Sequence, residues 1–111
     1  MPVVREKDAV SHGREGVQGT YYQFPDISGG TTVAFAEFTG PHGERTIGER
    51  PRIYAVLEGN GEFIINGEKV LVTKGDVVAI SPHATYNLFP KDGVVKIVLF
   101  MELLDVSKLP K

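Results

Sequence analysis

The side chains able to do chemistry in this sequence are few, and their spacing matches no common catalytic motif. The three histidines, His12, His42 and His83, form neither an H-x-H nor an H-E-x-x-H pattern of the kind that gathers histidines on a metal ion. The chain has no cysteine, so disulfides, thiolate metal sites and cysteine nucleophiles are excluded. No glycine-rich loop opens a helix, which removes the dinucleotide fingerprint. Binding or acid–base chemistry by arginine, tyrosine, histidine and carboxylate side chains remains.

The elements that must position these side chains are short β-strands. Runs rich in β-branched and aromatic residues occupy positions 17–24, 31–39, 53–57, 62–65, 69–73, 77–80, 84–89 and 94–104. Turn residues separate them, and Asn66-Gly67 predicts a two-residue hairpin turn because both residues tolerate positive φ. About eight or nine strands at this spacing, with no helix of useful length, predict an all-β sandwich or barrel. The strand at 31–39 is apolar on both faces, so we expect both faces to be covered.

Length and charge bound the organisation of the chain. A chain of 111 residues suits one domain spanning 1–111, in which residues 1–16 are predicted as an N-terminal arm and 105–111 as a C-terminal tail. A formal net charge of −2 gives no field that attracts nucleic acid or anionic membranes. The apolar runs fall far below the roughly 20 residues that cross a bilayer, and the N-terminus is too polar for a secretory signal. We therefore expect a cytoplasmic protein without nucleic-acid or membrane partners.

Two stretches resemble the motifs of the cupin family. The spacing of G-x5-H-x-H-x3-E-x6-G is matched from Gly40 to Gly59, and that of G-x5-P-x-G-x2-H-x3-N from Gly75 to Pro90. The resemblance covers about residues 31–101 and implies a double-stranded β-helix, a jelly-roll barrel of two facing sheets. In the family, four of these positions bind a divalent metal. This chain has Thr46, Gly48, Arg52 and Tyr86 there. The resemblance therefore implies the barrel without a metal or other cofactor.

The resemblance also implies which side chains enter the barrel. The family's ligands in the first motif point inward, and strand side chains alternate, so the even positions from 46 to 56 should share the interior. The residues then expected to bind a ligand are Thr46, Gly48, Arg52, Tyr54 and Val56, with Tyr86 on the facing strand and His42 at the mouth. His12 is expected at the surface and His83 in a loop. A β-bulge would reverse the assignment.

Arg52 is the residue on which the interpretation depends. A guanidinium is always charged, has five donors and accepts nothing, so in a partly dry cavity it needs an anion. That anion is either Glu37, if its strand presents odd positions inward, or a bound ligand. Tyr86 is similarly open: its hydroxyl either bonds a backbone group in the core or acts as a weak general acid.

Three functions are compatible with these residues. The first is metal-independent binding of a small polar or anionic molecule, such as a carboxylic acid or sugar derivative, with Arg52 as the clamp. The second is a metal-independent isomerase, epimerase or cyclase, with Tyr86 as acid and His42 or Glu37 as base. The third is a structural or interaction barrel with a filled core. We also expect a homodimer, because an aromatic edge strand at 17–24 would be an association liability in a monomer.

Overall fold

Ten short strands, preceded by a 3₁₀ turn at Glu6–Asp8, make up the computed structural model, which describes residues 3–105. The strands are β1 (Val10–Arg14), β2 (Val17–Phe24), β3 (Thr31–Phe38), β4 (Arg45–Thr46), β5 (Arg52–Glu58), β6 (Asn60–Ile65), β7 (Glu68–Thr73), β8 (Val77–Ile80), β9 (Thr85–Pro90) and β10 (Val95–Glu102). None of the described residues forms a helix long and apolar enough to span a membrane.

The strands form two sheets that enclose one core. A six-stranded sheet has the order β1-β2-β3-β10-β5-β8, and a four-stranded sheet has the order β4-β9-β6-β7. Alternation sends one face of each sheet inward, where Tyr54, Phe63, Leu88 and Val95 are fully buried. The predicted all-β jelly-roll barrel is confirmed.

Turn chemistry sets the strand boundaries. Asn66 and Gly67 have φ of 50° and 83°, so the hairpin between β6 and β7 closes with the two-residue turn that the sequence predicts. Gly59 joins β5 to β6 with φ of 87°. A Cβ at Gly59 would lie 2.3 Å from the carbonyl oxygen of Val94, so this junction accepts only glycine.

The N-terminal part differs from the expectation of an arm. β1 pairs with β2 along its whole length, from Val10 opposite Tyr21 to Arg14 opposite Val17. β2 therefore lies between β1 and β3 and is not the edge strand we expected. The sequence of β1 hides it, because its five residues include a glycine and two basic-type side chains rather than a β-branched run. The predicted tail at 105–111 lies outside the described residues, apart from Asp105.

The outer face of the six-stranded sheet is also not as expected. β3 was predicted to be covered on both faces, and its inward residues Ala34 and Phe38 are indeed buried. On the opposite face, Phe35 is 46% exposed. No segment within residues 3–105 covers it fully.

Candidate functional site

A cavity of about 100 Å³ lies against the inner face of the six-stranded sheet. Its apolar wall includes Ala34, Ala36 and Phe38 on β3 and Ile97 and Leu99 on β10. The polar side chains that line it are His12, Arg14, Tyr21, His42, Arg45, Arg52 and Tyr54. Both sheets and the loop that carries His42 thus bring together residues that are far apart in the sequence, and three of them are arginines.

Arg52 has an internal partner, which is Glu102 at the end of β10. Its Nη2 and Nε donate to Oε1 of Glu102 at 2.6 and 3.2 Å, and its Nη1 donates to the hydroxyl of Tyr86 at 3.1 Å. Burial alone would lower the pKa of Arg52, but the hydrogen bond and the charge of Glu102, together with Tyr86, hold this pKa above its ordinary value. The guanidinium is therefore charged and already neutralised by the protein.

The expectation that Glu37 pairs with Arg52 is wrong. β3 presents its even positions inward, so Glu37 lies on the outer face with a side chain 52% exposed, 3.4 Å from Nζ of Lys96. This placement also removes Glu37 as a candidate base in the cavity. Glu102 was missed because it closes a long apolar strand whose alternation points it outward. The sequence feature that could have indicated Glu102 is that it is the only carboxylate in residues 94–104.

Two buried tyrosines extend the network from Arg52. Tyr54 and Tyr86 are 0% and 1% exposed, and their hydroxyls share a hydrogen bond. Burial, reinforced by Tyr86, raises the pKa of Tyr54 well above its usual range. Tyr86 does not line the cavity itself, but it contacts His42, Arg52 and Tyr54, which do. Its hydroxyl is satisfied by side chains, not by the backbone group that we considered.

His42 lies at the cavity with a defined tautomer. Its ring is 5.3 Å from that of Tyr86 and 5.6 Å from that of Phe38, between centroids. Nδ1 is 2.8 Å from the carbonyl oxygen of Gly43, which only accepts, so Nδ1 carries the proton and Nε2 is the acceptor. Burial lowers the pKa of His42 to about 4; the Gly43 bond opposes this shift, while the charges of Arg45, Arg14 and Arg52 add to it. His42 is therefore neutral at pH 7.

The cavity has more positive than negative charge. Arg14 donates to the carbonyl oxygen of His42, and Arg45 lies at the exposed strand β4. None of the ion pairs formed within residues 3–105 involves either arginine. Within residues 3–105, Glu102 thus neutralises Arg52 but neither Arg14 nor Arg45.

His12 was expected at the surface, and the structure places it in the cavity lining. Its Nε2 is buried without a hydrogen-bond partner, as is Oε2 of Glu102. Buried polar atoms are rarely left unpaired, so Nε2 of His12 is free to pair with a molecule that enters the cavity, whose lining does not include Glu102. The error follows directly from the unpredicted strand β1, which turns His12 inward.

Other expected ligand residues do not reach the cavity. Thr46 is exposed and bonds the hydroxyl of Thr85 at 2.8 Å, and Gly48 is exposed with open space beside it. Val56 is buried in the core and does not line the cavity. The alternation fails because residues 47–51 are not a strand. In consequence Ile47, not Thr46, points inward.

The residues at the motif positions do not fit a divalent cation. Thr46 and Gly48 face away from the cavity, Arg52 is a cation, and Tyr54 holds the hydroxyl of Tyr86. Across the described part of the chain, no group of three or more His, Asp or Glu side chains is placed to hold a metal ion.

Among known proteins, only solved structures resemble this chain, and the resemblance is one of fold. No family model matches the chain, and no curated protein matches its sequence. KdgF from a Halomonas species is 19% identical with a TM-score of 0.72, over 88% of this chain and 90% of that one. A predicted oxalate decarboxylase from Thermotoga maritima is 19% identical with a TM-score of 0.75, over 92% and 99%. A histidine-to-glutamine variant of Streptomyces Pac13, with uridine, is 18% identical with a TM-score of 0.78, over 96% and 87%.

Proposed function

We propose that this chain, which has the fold of a cupin barrel, binds a small carboxylic acid or sugar derivative in its cavity without a metal ion. The observation that carries the proposal is the surplus of positive charge: three guanidinium groups line the cavity, and a carboxylate pairs with only one of them. The other two are Arg14, which is half-buried, and Arg45, which is exposed on β4. Removing the charge of Arg14 from water is costly unless it is paired, and an anion from solution would pair both.

Arg14 and Arg45 take the role that we first considered for Arg52. Each guanidinium has five donors, and a hydrogen bond to a charged group contributes about 1.5 to 3 kcal/mol. Arg52 is neutralised by Glu102 and instead fixes the hydroxyl of Tyr86. Arg52 therefore contributes to ligand binding by holding the polar side chains around it in place.

Neutral polar groups would recognise the remainder of the ligand. Nε2 of His12 has no partner within the described residues, and Nε2 of His42 is an acceptor because Nδ1 donates to Gly43. Both suit a hydroxyl group of a sugar or hydroxy acid. A cavity of about 100 Å³ is smaller than the roughly 150 Å³ that encloses benzene. The enclosed part therefore suits a few heavy atoms, and a larger ligand would project from the mouth.

A structural neighbour supports a small-molecule ligand. Pac13 is described as a nucleoside dehydratase, and its histidine and tyrosine variants are each seen with uridine. A barrel of the same fold thus holds a polar organic molecule.

A metal-independent acid–base enzyme is the second candidate, such as an isomerase, epimerase or cyclase. The observation in its favour is the contact between His42 and Tyr86, with rings 5.3 Å apart, because it places a possible base beside a possible acid. A histidine whose pKa lies at about 4 is a weak base at neutral pH, since acid–base catalysis works best near the working pH. Binding is therefore the primary proposal.

The experiment is a thermal-shift and calorimetric screen with small carboxylates, sugar acids, sugar phosphates and neutral sugars. We expect anions to bind and neutral sugars to bind more weakly or not at all. Arg45→Met should weaken binding about tenfold to a hundredfold, the equivalent of one charge-assisted hydrogen bond. Arg5→Met, which removes an exposed arginine outside the cavity, is the matched control. If both variants weaken binding equally, or if no compound in the panel binds, the binding proposal is wrong and the structural barrel is the remaining interpretation.

The enzymatic candidate is tested on any ligand that binds. An isomerase or epimerase exchanges a carbon-bound proton with solvent, so incubation in heavy water should give deuterium incorporation visible by NMR. His42→Gln or Tyr86→Phe should abolish the exchange. A ligand that binds tightly, but neither exchanges a carbon-bound proton nor is converted to a product, would support binding alone.

A further inference from the structure

The inner face of the six-stranded sheet has a gap between its side chains at Gly19. The strand registers place one row of residues across β1, β2, β3 and β10, which are His12, Gly19, Ala36 and Ile97. Gly19 is buried, and it is the member of this row that has no side chain. A glycine within a strand often marks a place where another group approaches the backbone closely.

The hydroxyl group of Tyr21 occupies this gap. A Cβ built on Gly19 would lie 2.8 Å from the hydroxyl oxygen of Tyr21 and 2.9 Å from the ring carbon that carries it. Tyr21 lies two residues further along β2 and therefore on the same face, so its ring folds back along the strand over Gly19. A side chain at position 19 would displace this ring. The glycine therefore determines where the hydroxyl group lies.

His12 is directly opposite Gly19, so its imidazole and the Tyr21 hydroxyl group adjoin the same part of the cavity. Opposed residues on antiparallel strands have Cα atoms about 4.5 to 5.5 Å apart, and both side chains line the cavity. None of the hydrogen bonds formed within residues 3–105 involves the Tyr21 hydroxyl group. Nε2 of His12 is also buried without a partner among these residues. Two neighbouring polar groups are thus open to a third.

An alcohol is the ligand group that fits both of them. Imidazole Nε2 accepts a hydrogen bond in one neutral tautomer and donates in the other, and a tyrosine hydroxyl group does either. An alcohol also does both, so it pairs with them in each tautomer, whereas a carbonyl oxygen only accepts. Burial raises the pKa of Tyr21 against the opposing charges of Arg14, Arg45 and Arg52, so the phenol keeps its proton at pH 7.

We propose that His12 and Tyr21 bind a hydroxyl group of the ligand, and that the ligand is a hydroxy acid whose hydroxyl group lies several bonds from its carboxylate. This inference rests on the proposed function, in which Arg14 and Arg45 bind the carboxylate. Arg14 lies two residues from His12 on the same face of β1, which separates their Cα atoms by about 6.6 Å. Arg45 is exposed, so the carboxylate lies towards the solvent and the hydroxyl group inside.

The test compares the binding of butanoate, 2-hydroxybutanoate and 4-hydroxybutanoate to the full chain by calorimetry. We expect 4-hydroxybutanoate to bind about tenfold tighter than butanoate, because each neutral hydrogen bond contributes a factor of roughly two to ten. The hydroxyl group of 2-hydroxybutanoate adjoins its carboxylate, so this acid should bind no better than butanoate. Tyr21→Phe should remove most of the preference for 4-hydroxybutanoate and leave the affinity for butanoate unchanged.

Two further variants control for a general effect of changing β2. Tyr22→Phe is the matched control, because Tyr22 is the next residue and packs against Phe35 on the outer face, with ring centroids 5.8 Å apart. It should keep the preference for 4-hydroxybutanoate. Gly19→Ala retains both polar groups but displaces the ring of Tyr21, so it should remove the preference. Alanine is accepted by the backbone of a strand, and thermal melts will show that each variant is folded.

The outcomes separate this inference from the proposed function. If butanoate and 4-hydroxybutanoate bind equally, or if Tyr21→Phe weakens both by the same factor, anion binding stands and the hydroxyl site is wrong. A preference for 2-hydroxybutanoate would place the hydroxyl group beside the arginines and would also overturn the inference. If none of these acids binds while other anions do, the inference alone fails. If no anion binds at all, the proposed function fails with it.

Discussion

The pairing of Arg52 with Glu102 allows a decisive test of how the cavity is held together. Arg52→Met removes the cation and leaves the Glu102 carboxylate beside an apolar side chain. The distances of 2.6 and 3.2 Å between Arg52 and Oε1 of Glu102 show that this oxygen loses both of its donors. We expect the folded state to lose stability at pH 7.

The magnitude follows from burial. Stranding one partner of a fully buried ion pair costs about 3 to 5 kcal/mol. The side chain of Glu102 is 33% exposed, so water screens part of this cost and we expect a loss of about 2 kcal/mol. In a domain of this size, that loss lowers the melting temperature by roughly 8 °C.

The assay is a double-mutant cycle by urea unfolding. Glu102→Gln in the Arg52→Met background removes the stranded charge, so the double variant should recover at least half of the loss. Glu37→Gln in the same background is the control and should recover nothing, because Glu37 bonds Lys96 on the outer face. The reasoning is refuted if Arg52→Met costs less than about 0.5 kcal/mol, or if the Glu37 change rescues it.

Three further predictions concern pH, backbone and metal. His42 is protonated near pH 6.5 in the unfolded chain and near pH 4 in the folded chain. Below pH 6.5 the free energy of unfolding should therefore fall by about 1.4 kcal/mol per pH unit through this group. The loss from pH 7 to 5 should be about 2 kcal/mol. His42→Gln should reduce the loss by that amount in urea titrations, and an unchanged slope would contradict it. Gly59→Ala should cost about 3 kcal/mol, because its Cβ meets a carbonyl oxygen. Gly67→Ala, with similar φ but open space, should cost only about 1 kcal/mol by thermal melts, so equal losses would exclude the clash. Protein purified without a histidine tag should contain far less than one equivalent of zinc, iron, manganese or nickel by mass spectrometry; stoichiometric metal at Arg52 would contradict this.

Local signals in the sequence predicted most of the barrel. The strands at 17–24 and 77–80 are found at the predicted residues, because β-branched and aromatic runs between turn residues constrain the backbone over a few positions. Asn66-Gly67 fixes its turn by positive φ, and Gly59 combines positive φ with the close approach of the Val94 carbonyl. The inward positions of Arg52, Tyr54 and Tyr86 followed from the resemblance, which set the inward face, together with alternation within single strands.

Alternation failed where the strand was interrupted. Residues 47–51 are irregular, so the parity that holds along β5 does not extend back to Thr46 and Gly48. The strand β1 carries no local signal, and its absence from the prediction placed His12 at the surface. The second error arose because a short, polar strand is stabilised by its neighbours in the sheet, not by its own residues.

The sequence determined most of the strands, their turns and the presence of one charged arginine in the barrel. The tertiary structure decided the partner of that arginine, since Glu102 lies fifty residues from Arg52 and reaches it only through the end of the neighbouring strand β10. It also decided that Arg14, Arg45 and His12 share one cavity. The strand registers align six apolar residues on the outer face of the six-stranded sheet, which are Phe35, Ile53, Ala55, Val77, Val98 and Phe100. Contacts between residues far apart in sequence depend on strand order and register, which no short window of sequence contains.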